Sequence, residues 1–300
     1  MKKIVVVGGA GFIGSNLVDE LIKRGDEVVV IDDLSTGKKE NINPKADFQK
    51  IDARDLKRIK PFFSDADYVF HLAAFSNVQF SIDNPFESND VNLNTTLNVL
   101  IAARDAGVKK FIYSASAAAY GNQEEESWNE RMQADLLSPY GLQKYVGELY
   151  CGLFSKIYGL PTVGLRYFNV YGKRQNLEGA YAPVVGIFVK KRLEGEPIVI
   201  FGDGEQTRDF ISVVDVARAN ILAAESEKVG VGEVINIGSG KSYSVNDLAK
   251  MVGGPIVKMP PRLEVKKSLA DNSLAKKLLG WSPTVELSEW LENYKKEVGL

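Results

Sequence analysis

A short β-branched run that empties into a glycine turn constrains this chain more than any other feature. Ile4, Val5, Val6 and Val7 lead directly into Gly8-Gly9-Ala10-Gly11-Phe12-Ile13-Gly14. Phe12, Ile13, Leu17, Val18, Leu21 and Ile22 then recur at helical spacing until Gly25. The turn satisfies Gly9-x-Gly11-x-x-Gly14 and also Gly8-x-x-Gly11-x-x-Gly14. Glycines so placed permit a tight turn, let the backbone approach a pyrophosphate and let helix and strand pack closely. The helix start adds free N–H groups and a partial positive charge for that phosphate. Residues 27–31 read as the next strand, and Asp32 lies at its end, roughly 20 residues beyond the turn. A carboxylate there accepts from both ribose hydroxyls and repels a 2′-phosphate, so NAD is expected rather than NADP. Lys38 and Lys39, just beyond, are the feature that would favour NADP. The alternative is a purely structural turn with a capping acid.

Further strands are expected at 68–72, 110–113 and 162–168, and helices at 91–106 and 140–158, the latter two closed by Gly107 and by Gly159 with Pro161. Nearly all these strands are too apolar to have a wet face, which predicts an α/β fold: a doubly wound parallel sheet covered on both sides. Beyond Asn169 the segments become shorter and richer in Gly and Pro. Residues 1–168 are therefore read as an NAD-binding Rossmann domain. Residues 169–300 are read mainly as a smaller mixed α/β substrate-binding region, with part of 209–240 returning to the first domain. No repeat or low-complexity tract interrupts the chain.

Composition removes several classes of function. Across 300 residues the formal charge is -2, which gives no electrostatic case for nucleic acid. His71 is the single histidine, which excludes paired-His metal sites and leaves too little for a Ser-His-Asp triad. Cys151 is the single cysteine, which excludes an intrachain disulfide and multi-cysteine metal sites, so no metal is expected. Both residues read as packing. The apolar run after Lys2 and Lys3 stops at Gly8, unlike a signal peptide. No apolar stretch approaches the roughly 18 residues of a membrane span. A cytoplasmic protein with no membrane partner is expected.

Catalysis must then rest on Tyr, Lys, Ser, carboxylates or a cofactor. Ser138 is a good helix N-cap and Pro139 a good first residue, so Tyr140 and Lys144 share a helix face one turn apart. A phenol with a pKa near 10 is a poor base at neutral pH. A neighbouring ammonium and an oxidised nicotinamide both favour the phenolate. Bringing the pKa to about 7 takes roughly 4 kcal/mol of differential stabilisation.

Taken with the glycine turn, Asp52-Ala53-Arg54-Asp55, His71-Leu72-Ala73-Ala74, residues 114–121, Tyr140 to Lys144, residues 166–172, 201–204 and 208–211, the chain resembles the extended short-chain dehydrogenase/reductase superfamily over nearly its whole length. Within it the sequence is most similar to the UDP-glucose 4-epimerases, whose second-strand segment resembles Asp32-Asp33-Leu34-Ser35-Thr36-Gly37. The resemblance implies a cofactor site of Gly8, Gly11, Phe12, Ile13, Gly14, Asp32, Asp33, Ser35, Asp52, Ala53, Leu72, Ala73, Ala74, Ser114, Tyr140, Lys144 and Tyr167. It implies Ser116 as the catalytic serine, with Ser114 the alternative, acting with Tyr140 and Lys144. Tyr167 and Phe168 would pack near the nicotinamide. Asn169, Phe201, Arg208, Arg262 and Ser268 would contact the UDP-sugar, and a homodimer packed through the 91–106 and 140–158 helices is implied. Arg208 lies in a Gly-rich polar stretch, and its guanidinium suits a pyrophosphate; pairing with Asp203, Glu205 or Asp209 is the alternative. Arg262-Leu263-Glu264 departs from the family pattern by one missing residue. Ser268, just ahead of Ala270-Asp271, stands where a bulky tyrosine excludes N-acetylated sugars.

The scaffold supports many reactions. Related dehydratases carry an Asp-Glu pair after the catalytic hydroxyl, where this chain has Ala117 and Ala118. Without an added acid and base, the expected chemistry is removal of a hydride from C4 of a UDP-hexose and its return to the other face. Three alternatives stay open: a UDP-glucuronate epimerase, a net NAD(P)H-dependent nucleotide-sugar reductase, and a non-catalytic dinucleotide-binding module.

Overall fold

Residues 4–7 are all buried, and alternate side chains serve different cores: Ile4 and Val6 enter one, Val5 and Val7 another. A strand with no wet face must be covered on both sides. The computed structural model, which describes residues 1–177, 183–261 and 265–300, shows how. The chain opens with β1 (Lys3–Val7), α1 (Phe12–Lys23), β2 (Glu27–Asp32), β3 (Asp47–Lys50) and α2 (Leu56–Ile59). It continues through β4 (Tyr68–His71), α3 (Val78–Asp83), α4 (Pro85–Asn89), a π-helical stretch (Asp90–Asn94), α5 (Thr95–Ala106), β5 (Lys110–Ser116), α6 (Pro139–Tyr158) and β6 (Thr162–Tyr167). There follow β7 (Asn169–Tyr171), α7 (Val184–Leu193), β8 (Ile198–Phe201), β9 (Thr207–Ser212), α8 (Val213–Glu225) and β10 (Val231–Ile237). Last come β11 (Ser242–Ser244), α9 (Val245–Val252), β12 (Ile256–Met259), α10 (Ser273–Leu279) and α11 (Leu287–Glu297).

The large sheet has the order β10-β6-β5-β4-β1-β2-β3, with every neighbouring pair parallel. The chain starts in the middle, winds outward through β2 and β3, and then crosses to β4 on the other side of β1. A reversal of this kind leaves a crevice at the carboxyl ends of the strands, where doubly wound sheets take ligands. Helices α1, α8 and α10 supply one covering layer, through Leu17, Val216 and Leu279 among others. The opposite layer comes from α2, α5 and α6, through Ile59, Val99, Leu100, Cys151 and Phe154. Cys151 is thus a packing residue, buried with its thiol pKa pushed up.

After β7 to β9 the chain re-enters the large sheet: α8 packs on α1, and β10 pairs with β6. The smaller part comprises the sheets β11-β9-β7 and β12-β8 around a separate apolar core that includes Phe188, Ile198, Phe210 and Leu248. Gly107 and Gly159 adopt left-handed backbone and end α5 and α6, as expected for such caps. Three expectations need correcting. The helix expected at 91–106 begins as the π-helical stretch. The strand expected at 162–168 breaks at Phe168 between β6 and β7, and β5 runs on to Ser116. No described helix is long and apolar enough to cross a membrane, and no group of metal-ligating side chains occurs among the described residues.

Candidate active site

Gly8 has φ of 86°, and a Cβ there would lie 2.4 Å from the Ala73 amide nitrogen. A Cβ on Gly14 would lie 2.1 Å from the Gly8 carbonyl oxygen. Glycine is required at both positions, and it brings bare backbone against the start of α1. No side chain caps that helix, and no acid sits in its first turn. Gly11, Phe12, Ile13 and Gly14 instead line a cleft of about 1170 Å³.

The cleft follows the carboxyl ends of the strands. Asp32, Asp33 and Ser35 come from the end of β2, Asp52 and Ala53 from beyond β3, and Leu72, Ala73 and Ala74 from beyond β4. Ser114 and Ser116 belong to β5, Tyr140 and Lys144 to α6, and Tyr167 to β6, while Asn169, Arg208 and Ser268 come from the smaller part. Phe201 ends β8 and is not among the lining residues. Arg262 lies outside the described residues. Arg208 is on strand β9 rather than in a loop, because its backbone pairs with Tyr243 of β11; its Nη1 donates to the Thr207 carbonyl at 2.9 Å.

Asp32 is 9% exposed, and its carboxylate accepts from the Ala10 amide at 3.0 Å and the Leu34 amide at 2.9 Å. Burial raises its pKa, and these two N–H groups oppose the rise. Two oxygens carry about four lone-pair sites, so capacity remains toward the cleft. Beyond β3, Arg54 grips Asp52 through Nε at 3.0 Å and Nη2 at 2.6 Å and reaches Asp90 at 2.6 Å, which ties this end of the cleft to the π-helical stretch.

Ser138 caps α6 by accepting from the Gly141 amide at 3.1 Å, with Pro139 in the first turn. The Tyr140 amide donates to the buried Ser81 hydroxyl at 3.1 Å. Tyr140 and Lys144 are both buried on one face of α6. Ser116 lies beside Tyr140, near enough to influence the phenol, and its hydroxyl accepts from the Ala118 amide at 3.2 Å. The Lys144 ammonium donates to the Ser114 carbonyl at 2.7 Å and lies 5.1 Å from the Tyr113 ring centre and 5.9 Å from that of Tyr140. Burial pushes the Tyr140 phenol up, with the neighbouring Ser116 hydroxyl opposing, and pushes Lys144 down to about 8, with Glu148 opposing. In the protein alone, burial outweighs any lysine-driven lowering of the phenol's pKa.

His71 lies beneath this group. It is buried, its Nε2 pairs with the Thr96 hydroxyl at 2.9 Å, and burial drives its pKa down to about 3. Tyr167 lines the cleft while its hydroxyl meets Asn220 at 2.8 Å. Phe168 packs with Tyr120 and Trp128. Asn169 donates to the Asp209 carbonyl at 2.7 Å. The Asp209 carboxylate accepts from Ser239, Gly240 and Ala270, and so fixes β9 to the segment that carries Ser268. Ser268 is 5% exposed, and its hydroxyl has no hydrogen-bond partner among the described residues.

Sequence reasoning overlooked Ser76, Asn77, Val78 and Gln79 in the cleft wall, and also Val91, Thr95 and Trp128. Asn77 caps α3, a pattern visible in the sequence. Asn92 binds the Phe75 amide at 2.7 Å and its carbonyl at 3.0 Å, which holds this wall in place and has no local signal.

The model of the NAD dependent epimerase/dehydratase family matches residues 4–238. A UDP-glucose 4-epimerase of Mycolicibacterium smegmatis is 37% identical over 306 residues, covering 96% of this chain and 95% of the relative. The crystal structure of a UDP-glucose 4-epimerase from Thermotoga maritima with UDP-glucose aligns at a TM-score of 0.92 and 42% identity, covering 99% of both chains. A UDP-N-acetylglucosamine 4-epimerase from Methanobrevibacter ruminantium, solved with UDP-N-acetylmuramic acid, aligns at a TM-score of 0.93 and 39% identity, covering 98% of this chain and 97% of the other.

Proposed function

The chain belongs to the NAD-dependent epimerase/dehydratase family, and from that premise we propose that it inverts C4 of a UDP-hexose, interconverting UDP-glucose and UDP-galactose and accepting their N-acetylated forms. The observation that carries this reading is the meeting of Ser116, Tyr140 and Lys144 in one cleft with the glycine turn. The acids that line the cleft, Asp32, Asp33 and Asp52, come from the β2 and β3 edge of the sheet. Ser116 is followed by Ala117 and Ala118. Among the described residues the reacting end thus holds no second acid and base of the kind an elimination needs.

The cleft suits NAD on its own observations. Gly8 and Gly14 let the turn, α1 and the segment beyond β4 pack backbone to backbone, the start of α1 is uncapped, and Asp32 stands at the end of β2. Bound there, NAD supplies the acceptor and donor of hydride and, when oxidised, a positive charge. Tyr140 takes the proton of the sugar O4–H and later returns it, while Ser116 holds O4 and shares its proton with the phenol. Lys144, fixed by the Ser114 carbonyl, supplies a second positive charge. Asn169 and Arg208 anchor the UDP so that the sugar alone turns between the two halves of the reaction. We assign the cofactor to residues 1–168 and the nucleotide sugar mainly to 169–300.

Among the described residues, the cations in the cleft wall favour a neutral hexose over a hexuronate. Arg54 is held by Asp52 and Asp90, Lys144 by a carbonyl, and Arg208 is assigned to the pyrophosphate. A homodimer is supported by the exposed stripe of Leu142, Leu149, Leu153 and Ile157 along α6. The test is incubation with UDP-glucose or UDP-galactose, resolving the sugar isomers while recording the NADH absorbance band. Interconversion with no net NADH is expected. Stoichiometric consumption of NADH would indicate a reductase, and no turnover of any UDP-sugar would overturn the reading.

A further inference from the structure

Behind Lys144, away from the cleft, lies a fully buried ion pair. Glu148 is one helical turn beyond Lys144 on α6 and accepts from Arg166 of β6 through two bonds, Nε to Oε1 at 2.8 Å and Nη2 to Oε2 at 2.6 Å. The two side chains are 3% and 5% exposed. The guanidinium also sits 4.3 Å from the Tyr120 ring centre, and its Nη1 has no hydrogen-bond partner among the described residues. A buried pair of this kind adds little to stability compared with apolar packing, because desolvation offsets the attraction. Its position therefore calls for another account.

Lys144 must carry a charge in a nearly dry place. The titratable and charged groups near it are Tyr140, Glu148 and Cys151 on α6, Tyr113 on β5, His71 on β4 and Arg166 on β6. Before the cofactor adds its charge, His71, Cys151 and the two tyrosines are neutral near pH 7, since burial lowers the first and raises the others. Among the described residues Glu148 is thus the one anion in the group while the Tyr140 phenol keeps its proton. Burial alone would tend to neutralise it, and Arg166 opposes this by binding both oxygens.

We propose that Glu148 and Arg166 are positioning residues for the reaction: Glu148 is the counter-charge that keeps Lys144 protonated beside Tyr140, and Arg166 keeps that carboxylate ionised and aimed. The inference rests on the role assigned above to the Tyr140–Lys144 pair, but its test does not depend on turnover. Full-length, NAD-loaded protein carrying carbon-13-labelled lysine side chains is titrated by NMR, with Lys144→Met identifying the resonance. The variants are Glu148→Gln and the charge-keeping Glu148→Asp. Loss of an opposite charge one helical turn away should lower the Lys144 midpoint by about one unit or more in Glu148→Gln, with a smaller change in Glu148→Asp. The alkaline limb of the epimerisation rate should move down in pH by the same amount, a shift that general loosening of the fold would not produce. If Glu148→Gln does not fold, Glu148→Gln/Arg166→Met removes both charges together, and its Lys144 midpoint should also lie below that of the unmodified protein. A midpoint unchanged in folded protein would overturn the proposal. Absence of epimerisation with a shifted midpoint would instead count against the proposed function.

Discussion

The Ala10 amide donates to Asp32 at 3.0 Å, so the carboxylate that ends β2 is a joint of the glycine turn as well as a wall of the cleft. Asp32→Ala should therefore act twice, removing an acceptor for the ribose and leaving the Ala10 and Leu34 amides without theirs. Hydrogen bonds to charged groups contribute about 1.5–3 kcal/mol each, which corresponds to roughly a 10- to 150-fold loss in NAD affinity. NADP binding should fall less, because the group that repels its 2′-phosphate is gone. Calorimetric titration of both dinucleotides into cofactor-free protein gives the comparison. Tighter NADP than NAD binding in the unmodified protein would reverse the assignment and point to Lys38 or Lys39.

Tyr140→Phe keeps the ring that packs in the cleft and removes the group that moves the O4 proton. Turnover should drop by about 2–4 orders of magnitude, the usual scale for a general acid–base residue, with NAD still bound. Ser116→Ala should be slowed less, since its hydroxyl shares the proton with the phenol but does not hold it. Comparable rates in Tyr140→Phe and the unmodified enzyme would assign the base elsewhere.

The parts of this molecule that could be read from the sequence are those written locally. The run before Gly8, the Ser138-Pro139 helix start and the glycine stops at 107 and 159 each decide their own geometry within a few residues. Arg208 shows the limit. Its neighbours read as a polar loop, yet Thr207 to Asp209 form a strand, because β11 supplies backbone partners and three distant N–H groups satisfy Asp209. The same holds for Ser81 under Tyr140, Asn92 behind Phe75 and Arg166 on Glu148, whose partners lie 59, 17 and 18 residues away. No periodicity reports such contacts. Ser116 is placed by family likeness, while Tyr140 and Lys144 are read from their shared helix face and gain weight only from the dinucleotide fold they follow, since a Tyr-x-x-x-Lys spacing by itself is common.

Acid should destabilise the fold through His71. Its pKa is about 3 in the folded protein, against roughly 6.5 when unfolded. Between those values the unfolded chain binds a proton that the folded chain does not, so stability present above about 6.5 is lost as pH falls toward 3. At about pH 4.5 the loss from this residue is of order 2–3 kcal/mol, a large share of a typical 5–15. Urea midpoints at neutral pH and at that pH should move closer together in His71→Gln, which cannot take up a proton. An equal separation in both proteins would assign the acid sensitivity to other groups.

Ser268 combines three properties: it lines the cleft, it is nearly buried, and its hydroxyl is without a hydrogen-bond partner among the described residues. A small side chain there leaves room that a tyrosine ring would fill. UDP-N-acetylglucosamine and UDP-N-acetylgalactosamine should therefore be interconverted alongside the unsubstituted pair. Ser268→Tyr should close that space. Overpacking costs about 1–3 kcal/mol, or roughly 5- to 150-fold in kcat/KM, and the cost should fall on the N-acetylated sugars while the smaller pair is largely spared. The readout is the ratio of kcat/KM for the two sugar pairs in each protein. Ser268→Ala separates the polar role from the steric one: with the space kept, a fall confined to the N-acetylated pair would identify a hydrogen bond to the acetamido group. A ratio that stays constant through both substitutions would remove Ser268 from the sugar site.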